Sequence, residues 1–224
     1  GDTKVVEKGS LGGCVINTSG IGKRTEALER NIAEVKRHRS FNTRWILDSN
    51  LQEGDKIIIS GTVGDHGLAV LSAQEGYNFG SQIKSDVTPL NKLIIRLLNV
   101  GGIVAMKDPT RGGLSNALNE WSEKSGVGIL VQEDRIPIRE DVKAACEMLG
   151  IDPLEVGNEG KILIGVVREK AEEVLLALKE TKEGKDAQMI GEATKQFKEV
   201  ALETEVGGKR ILAPPIGDPI PRIC

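Results

Sequence analysis

The sequence has few aromatic residues and few of the residue types that bind metals. Of its 224 residues, 3% are aromatic, two are histidines and three are cysteines. The cysteines Cys14, Cys146 and Cys224 are far apart and odd in number, so neither a disulfide framework nor a structural zinc site is expected. The histidines, His38 and His66, are near neither each other nor a cysteine in the sequence. We therefore expect any metal to arrive with a nucleotide.

Long apolar runs and an excess of one charge are also absent. No run approaches the roughly 20 apolar residues that a membrane-spanning helix needs. The net charge is −3 with both signs interspersed, which argues against a nucleic-acid surface. With 39% hydrophobic and 28% charged residues, the composition is typical of a soluble globular protein. We expect a cytoplasmic protein that has neither a membrane nor a nucleic acid as its partner.

The order of the predicted elements favours an α/β fold. From residue 51 onward, short apolar runs typical of strands alternate with amphipathic stretches typical of helices, and we expect residues 49–212 to form one α-β-α layered domain. Residues 1–48 are expected to end a preceding domain. They include a charged amphipathic helix between Lys23 and Asp48, and its apolar side is formed by Leu28, Ile32, Val35 and Trp45.

The last residues are rich in proline and include a thiol. The four prolines of residues 214–224 can neither continue a helix nor donate to a sheet, so we expect an extended arm outside the fold. Counted from Ile211, about thirteen residues at roughly 3.1 Å each carry the sulfur of Cys224 on the order of 40 Å. Such a thiol is either an incidental surface group or a nucleophile that the arm delivers to a site.

Two further stretches are candidate phosphate sites. Asp2, Thr3 and Lys4 precede a predicted strand and combine a carboxylate, a hydroxyl and an ammonium group, which together could hold a Mg²⁺-bound phosphate. An ordinary solvated loop is the alternative. The glycine-rich loop 61–67 lies between a strand and a helix, where backbone N–H groups can face an anion. It matches no nucleotide-binding motif, and a tight turn with a helix cap explains it equally well.

The stretch Asp108–Gly113 is more specific. It is predicted to connect the strand Ile103–Met106 to a helix that begins at Leu114. A helix cap explains a single Asp or Thr, but not a guanidinium group and two glycines in addition. We therefore expect this loop to contact a ligand. The candidate residues are Asp108, Thr110, Arg111, Gly112 and Gly113.

A glutamate between two glycines marks the entrance to a later predicted strand. Glu159 follows Gly157 and Asn158 and precedes Gly160, where the backbone can be approached closely, so its carboxylate is a candidate base. Most glutamates in turns are simply solvated, which is the alternative. Lys161 is its expected structural partner.

Together, Gly1–Val6, Asp108–Gly113 and the ending Pro-Arg-Ile-Cys resemble the hydrogenase maturation family HypE. The resemblance covers nearly the whole chain and implies a fold similar to aminoimidazole ribonucleotide synthetase and selenophosphate synthetase. Residues 1–48 would then be the end of the nucleotide-binding, dimerising N-terminal domain. Residues 49–212 would be the C-terminal domain, and residues 213–224 a flexible tail. The front of the first domain would be missing.

The resemblance also implies an activity: ATP-dependent dehydration of a carbamoyl group on Cys224 to a thiocyanate, which supplies the cyanide ligand of [NiFe]-hydrogenase. Cys224, Lys4 and Glu159 would be catalytic. Asp2, Thr3 and the Asp108–Gly113 loop would bind ATP, and Asp2 and Asp108 would hold Mg²⁺. The implied partners are HypF as carbamoyl donor, the HypC–HypD complex as cyanide acceptor, and a second copy of the protein.

Two other functions remain open from the sequence. One is phosphoryl transfer to a free small molecule, for which the tail would be irrelevant. The other is a partner-binding fragment without catalytic activity of its own.

Overall fold

The computed structural model describes residues 20–77 and 83–216, which form six α-helices and one seven-stranded sheet. The helices are α1 (Glu26–His38), α2 (Asp65–Glu75), α3 (Asn91–Val100), α4 (Gly113–Ser125), α5 (Glu140–Leu149) and α6 (Ala171–Lys179). The strands are β1 (Lys56–Ile59), β2 (Ile103–Lys107), β3 (Gly128–Gln132), β4 (Leu163–Val166), β5 (Gln188–Thr194), β6 (Val200–Glu203) and β7 (Lys209–Ile211). The predicted α/β class is confirmed.

The strand order of the sheet is β2-β4-β1-β5-β3-β6-β7. Every neighbouring pair is antiparallel except β3 and β6, which are parallel. Strand β4 lies between β1 and β2 and runs antiparallel to both, with Leu163 opposite Ile59 on one side and Lys107 on the other. The loops that follow β1 and β2 therefore emerge at the same end of the sheet as the loop that precedes β4.

The sheet and four of its helices share one hydrophobic core. Ile57, Ile58 and Ile59 of β1 are fully buried, as expected for a central strand covered on both faces. Helix α1 packs on α3, and α3 packs on α6. A smaller apolar cluster joins α2 to α5 and includes Cys146. None of the described helices combines the length and the apolar character needed to cross a bilayer.

Helix α1 is shorter than predicted. Its residues Leu28, Ile32 and Val35 are buried as expected, but the helix ends at His38, so the prediction that it continues to Asp48 is wrong. Arg39 adopts an extended backbone, and its Nη1 contacts both carboxylate oxygens of Asp55 at 2.7 and 2.8 Å.

Nη2 of Arg39 also donates a hydrogen bond to the carbonyl oxygen of Asn50, at 2.7 Å. The chain must turn at this point to make this bond and the ion pair with Asp55. Trp45 consequently lies outside the helix, half exposed, with the guanidinium group of Arg24 5.3 Å from its ring centre. The buried side of α1 belongs to the same core as the sheet. The proposed domain boundary near residue 48 stays a prediction.

Candidate functional site

Three loops meet at the end of the sheet where β1 and β2 finish and β4 begins. They are residues 60–64 after β1, residues 108–112 after β2 and residues 154–162 before β4, and we call them together the three-loop site. The antiparallel placement of β4 between β1 and β2 brings them together. Glu159 and the Asp108–Gly113 stretch, which were predicted separately from the sequence, are therefore neighbours in the fold.

The side chain of Asn158 connects the three loops. It is fully buried. Its Oδ1 accepts a hydrogen bond from the N–H of Gly64 at 2.8 Å. Its Nδ2 donates to the carbonyl oxygen of Val156 at 3.0 Å and approaches that of Pro109 at 3.4 Å. The N–H of Asn158 also donates to Pro109, at 3.0 Å. One amide thus satisfies backbone groups from all three loops.

Two glycines allow these loops to approach closely. A Cβ on Gly113 would lie 2.5 Å from the carbonyl oxygen of Leu154 and 2.6 Å from that of Val156, and the φ of Gly113 is +61°. A Cβ on Gly157 would lie 2.7 Å from the carbonyl oxygen of Thr110. Any side chain at these two positions would push the backbones apart. Gly113 and Gly157 are therefore explained by the close packing of the loops.

The Asp108–Gly113 loop connects β2 to α4, as predicted. The residue that caps α4 is Gly112, in the left-handed conformation and without a side-chain capping bond. Neither Asp108 nor Thr110 is therefore used as a helix cap. Asp108 and Arg111 are exposed, and Thr110 is half buried. The charged groups of the loop are thus accessible to a ligand.

A cavity of about 370 Å³ opens beside the three-loop site. Asp108 and Glu159 both line it, together with Lys107 and Lys161. The rest of its wall is formed by Thr88, Leu90, Ile94, Met106 and Ile162. Two acidic and two basic residues therefore line a space whose other walls are largely apolar, a lining that suits a small ligand with polar ends.

Asp86 holds the backbone around Glu159, a role that the sequence pattern did not indicate. Its side chain is 3% exposed, with Oδ2 3.4 Å from Nζ of Lys161. Its Oδ1 accepts a hydrogen bond from the N–H of Glu159 at 3.1 Å. A Cβ on Gly160 would lie 1.7 Å from the carbonyl oxygen of Asp86. The segment containing Asp86 thus fixes residues 159–161 at the cavity, and Asp86 is the partner found for Lys161.

A second buried carboxylate lies close to this pair. Asp65, the first residue of α2, accepts a hydrogen bond from Oγ1 of Thr62 at 2.5 Å, and Nη1 of Arg139 lies 3.6 Å from its other oxygen. Burial raises the pKa of Asp65, and the hydrogen bond from Thr62 and the charge of Lys161 oppose that shift. The cap of α2 is Gly64, so neither Asp65 nor His66 caps this helix.

Lys107, which precedes Asp108, belongs to a cluster of charges. Its Nζ lies 2.6 Å from both Asp48 and Glu120, and Lys124 reaches the same two carboxylates at 2.8 and 3.2 Å. The hydrogen bond from Lys107 lowers the pKa of Glu120. Burial raises the pKa of Asp48, but the hydrogen bonds from the two lysines outweigh it, and the net shift is downward. The cluster fixes the end of β2 against α4.

The chain after β7 returns to the three-loop site. Pro215 lies against Gly112, because a Cβ built on that glycine would be 2.8 Å from Cγ of Pro215. Four Cα steps of 3.80 Å separate Gly112 from Asp108, so the two Cα atoms are at most about 15 Å apart. We call residues 212–216 the tail root.

Four of the predicted site residues, Asp2, Thr3, Lys4 and Cys224, lie outside the described residues. Within residues 20–77 and 83–216, no group of three or more His, Cys, Asp or Glu side chains is placed to hold a metal ion. Cys146 has a free thiol that is 1% exposed, and burial raises its pKa to about 11. It is therefore a poor nucleophile at neutral pH.

Residues 52–202 match the family described as AIR synthase related protein, C-terminal domain. The whole chain is 50% identical to a hydrogenase expression/formation protein of Methanocaldococcus jannaschii and 40% identical to the carbamoyl dehydratase HypE of Bradyrhizobium diazoefficiens. It spans 62% and 61% of the lengths of these two relatives.

Solved structures show the same similarity. A HypE–HypF complex contains a chain with 47% identity and a TM-score of 0.73, over 75% of this chain and 55% of that one. The hydrogenase maturation protein HypE in complex with ATP has 39% identity and a TM-score of 0.75, over 80% of this chain and 55% of that one.

Replacing Asn158 by alanine should separate the three loops. The Asn158→Ala variant leaves buried backbone groups at Gly64 and Val156 without partners, so we expect the free energy of unfolding to fall by about 2–4 kcal/mol. Urea denaturation measures this. Asn99→Ala is the matched control, since the amide of Asn99 is exposed and accepts hydrogen bonds from Arg30, and its effect should stay within about 0.5 kcal/mol. Equal effects of the two substitutions would contradict the role given to Asn158.

Proposed function

The chain belongs to the AIR synthase related protein family, whose C-terminal domain it contains, and on this premise we propose that it dehydrates a carbamoyl group carried on Cys224. ATP would drive the conversion of this thiocarboxamide to a thiocyanate, the source of the cyanide ligand of [NiFe]-hydrogenase. The observation that carries the proposal is that Asp108 and Glu159 line one cavity while the tail root lies on Gly112 of the same loop.

The whole-length similarity to carbamoyl dehydratases supports this choice of reaction. In the proposed reaction, the oxygen of the S-bound carbamoyl group attacks the γ-phosphorus of ATP, and ADP leaves. Loss of the resulting phosphate, with removal of both nitrogen protons, leaves sulfur bound to C≡N. A poor leaving group, the oxygen of an amide, thus departs as phosphate.

The residues have separate tasks in this proposal. Cys224 carries the group, and its arm replaces a bimolecular encounter by delivery from a tether. Glu159 or Lys4 removes a proton from nitrogen, and Lys4 stabilises the negative charge that develops. Glu159 suits this task because the contacts of Asp86 with residues 159–161 fix its backbone at the cavity.

The arm is long enough for this delivery. Eight residues, 217–224, follow Ile216, and at roughly 3.1 Å each they span on the order of 25 Å. The loop from Gly112 to Asp108 takes up at most about 15 Å of that distance. The cavity therefore lies within reach of a thiol whose tether starts at the tail root.

The cavity suits a phosphate group in part. Two lysines line it, and the adjacent loop contributes Thr110, the guanidinium group of Arg111 and the backbone of Gly112 and Gly113, where the N–H of Gly113 donates to the carbonyl oxygen of Thr110. Asp2 and Thr3 would complete the nucleotide contacts. Asp108 offers one exposed carboxylate to Mg²⁺, but the described residues form no cluster that holds a metal alone. We therefore assign the remaining ligands to Asp2 and the nucleotide. Bound Mg²⁺ would neutralise charge on the phosphate oxygens.

The proposal includes partners. A solved relative forms a HypE–HypF complex, and we propose that HypF supplies the carbamoyl group to this protein. We propose the HypC–HypD complex as acceptor of the cyanide and pairing of two copies through their first domains. A cytoplasmic location remains part of the proposal. Because the chain spans less than two thirds of the length of these relatives, the tests use a longer form of the protein that includes the part of this length outside the present chain.

The acceptor thiol can be tested by mass. After incubation with HypF, carbamoyl phosphate and ATP, intact-mass analysis of the longer form should show a carbamoyl adduct that then loses the mass of one water. Cys224→Ala should show neither change. Cys146→Ala is the control and should behave like the unaltered protein, since its thiol is buried. An adduct that persists in Cys224→Ala would place the acceptor elsewhere. Undiminished ATP turnover after deletion of residues 214–224 would favour a free small molecule as substrate.

The proposed role of Glu159 as a base can be tested separately from the transfer of the carbamoyl group to Cys224. Glu159→Gln keeps the size of the side chain but removes the base, so the carbamoyl adduct should form on Cys224 and lose water at least about a hundredfold more slowly. Quenched time points followed by mass spectrometry measure both steps. Glu123→Gln, on the exposed side of α4, is the control. Dehydration at an unchanged rate in Glu159→Gln would remove Glu159 from the reaction.

A further inference from the structure

We propose that α4 anchors the tail root, so that the arm bearing Cys224 departs from a fixed point beside the Asp108–Gly113 loop. This inference rests on the proposed function, because it assigns positioning residues to the delivery arm of that site. The anchor consists of Ser115 and Asn119, with Gly112 as its third member. Neither Ser115 nor Asn119 contacts the substrate or the nucleotide in this proposal.

Two side chains on one face of α4 bind consecutive carbonyl groups of the tail root. Oγ of Ser115 donates a hydrogen bond to the carbonyl oxygen of Ala213 at 2.7 Å. Nδ2 of Asn119 donates to that of Leu212 at 2.8 Å. The two residues are four positions apart, so they lie above one another on the helix. Ser115 is fully buried and Leu212 is 2% exposed, so each of the two bonds has one buried partner.

The tail root leaves the sheet where these bonds begin. Strand β7 ends at Ile211, and the N–H of Leu212 still donates to the carbonyl oxygen of Val200 at 2.8 Å. Beyond this bond, the contacts of the root are with α4. Ala213 is bound by Ser115, and Pro215 lies on Gly112. A side chain at Gly112 would occupy the space that Pro215 uses.

The anchor shortens the tether and fixes its origin. A free arm that begins after Ile211 has thirteen residues, whereas one that begins after Ile216 has eight. The concentration that a flexible tether gives its end group falls with about the −3/2 power of tether length. If the arm is extended instead, it reaches roughly 40 Å in the first case and 25 Å in the second, and the concentration of the thiol falls with the volume within that reach. Release of the root should therefore dilute the thiol at the cavity by about two- to fourfold.

The test compares two ways of lengthening the tether. The double variant Ser115→Ala with Asn119→Ala releases the root, while insertion of five Gly and Ser residues after Ile216 lengthens the arm and leaves α4 intact. The single-turnover rate at which carbamoylated Cys224 loses water is measured in the longer form of the protein. Both variants should be about two- to fourfold slower than the unaltered protein. Glu123→Ala, on the exposed face of α4, should match the unaltered protein.

Amide hydrogen exchange provides a readout that does not depend on activity. The amide of Leu212, whose N–H donates to the carbonyl oxygen of Val200, should exchange faster in the double variant, and those of β1 should be unchanged. If the double variant reacts or exchanges like the unaltered protein, the anchor is refuted. If only the double variant is slow while the insertion variant is not, damage to α4 explains the effect and the positioning role is refuted. If the unaltered protein does not convert its adduct at all, the proposed function fails, and the positioning role fails with it.

Discussion

The buried side-chain amide of Asn158 is the interaction on which the site depends. A buried amide without partners costs more than its hydrogen bonds contribute, so the backbones of all three loops must stay within reach of it. The bonds to Gly64, Val156 and Pro109 meet this requirement. Glycines at 113 and 157 then allow backbone to lie directly on backbone. The position of Glu159 beside the cavity follows from this close packing.

Charge is arranged around the site in pairs. Lys161 is held by Asp86, and Lys107 by Asp48 and Glu120. Each lysine that lines the cavity therefore has an acidic partner in the protein. Pairing of this kind restricts where a side chain can move, and it moderates the cost of burying a charge. The charged side chains of the site are thus held in place by their partners, and the tail root lies at the edge of the site.

The sequence indicated those parts of the site that depend on local pattern. The strand, glycine loop and helix around Asp108–Gly113 follow from spacing, and they were predicted correctly. The contacts that position Glu159 did not follow from spacing. Asp86 is 73 residues from Glu159, and Gly64 is 94 residues from Asn158. The same reason explains the end of α1, since Arg39 turns away to reach Asp55, 16 residues later.

The central claim is that the thiol of Cys224 reaches the cavity beside Glu159, and disulfide trapping tests it most directly. With Cys14 and Cys146 replaced by alanine, a cysteine is introduced at the cavity wall by Thr88→Cys or, for comparison, at the opposite end of β1 by Glu53→Cys. The rate of the bond to Cys224 is measured by mass spectrometry under mild oxidation. The account predicts faster bonding at position 88. Equal or faster bonding at position 53 would contradict it.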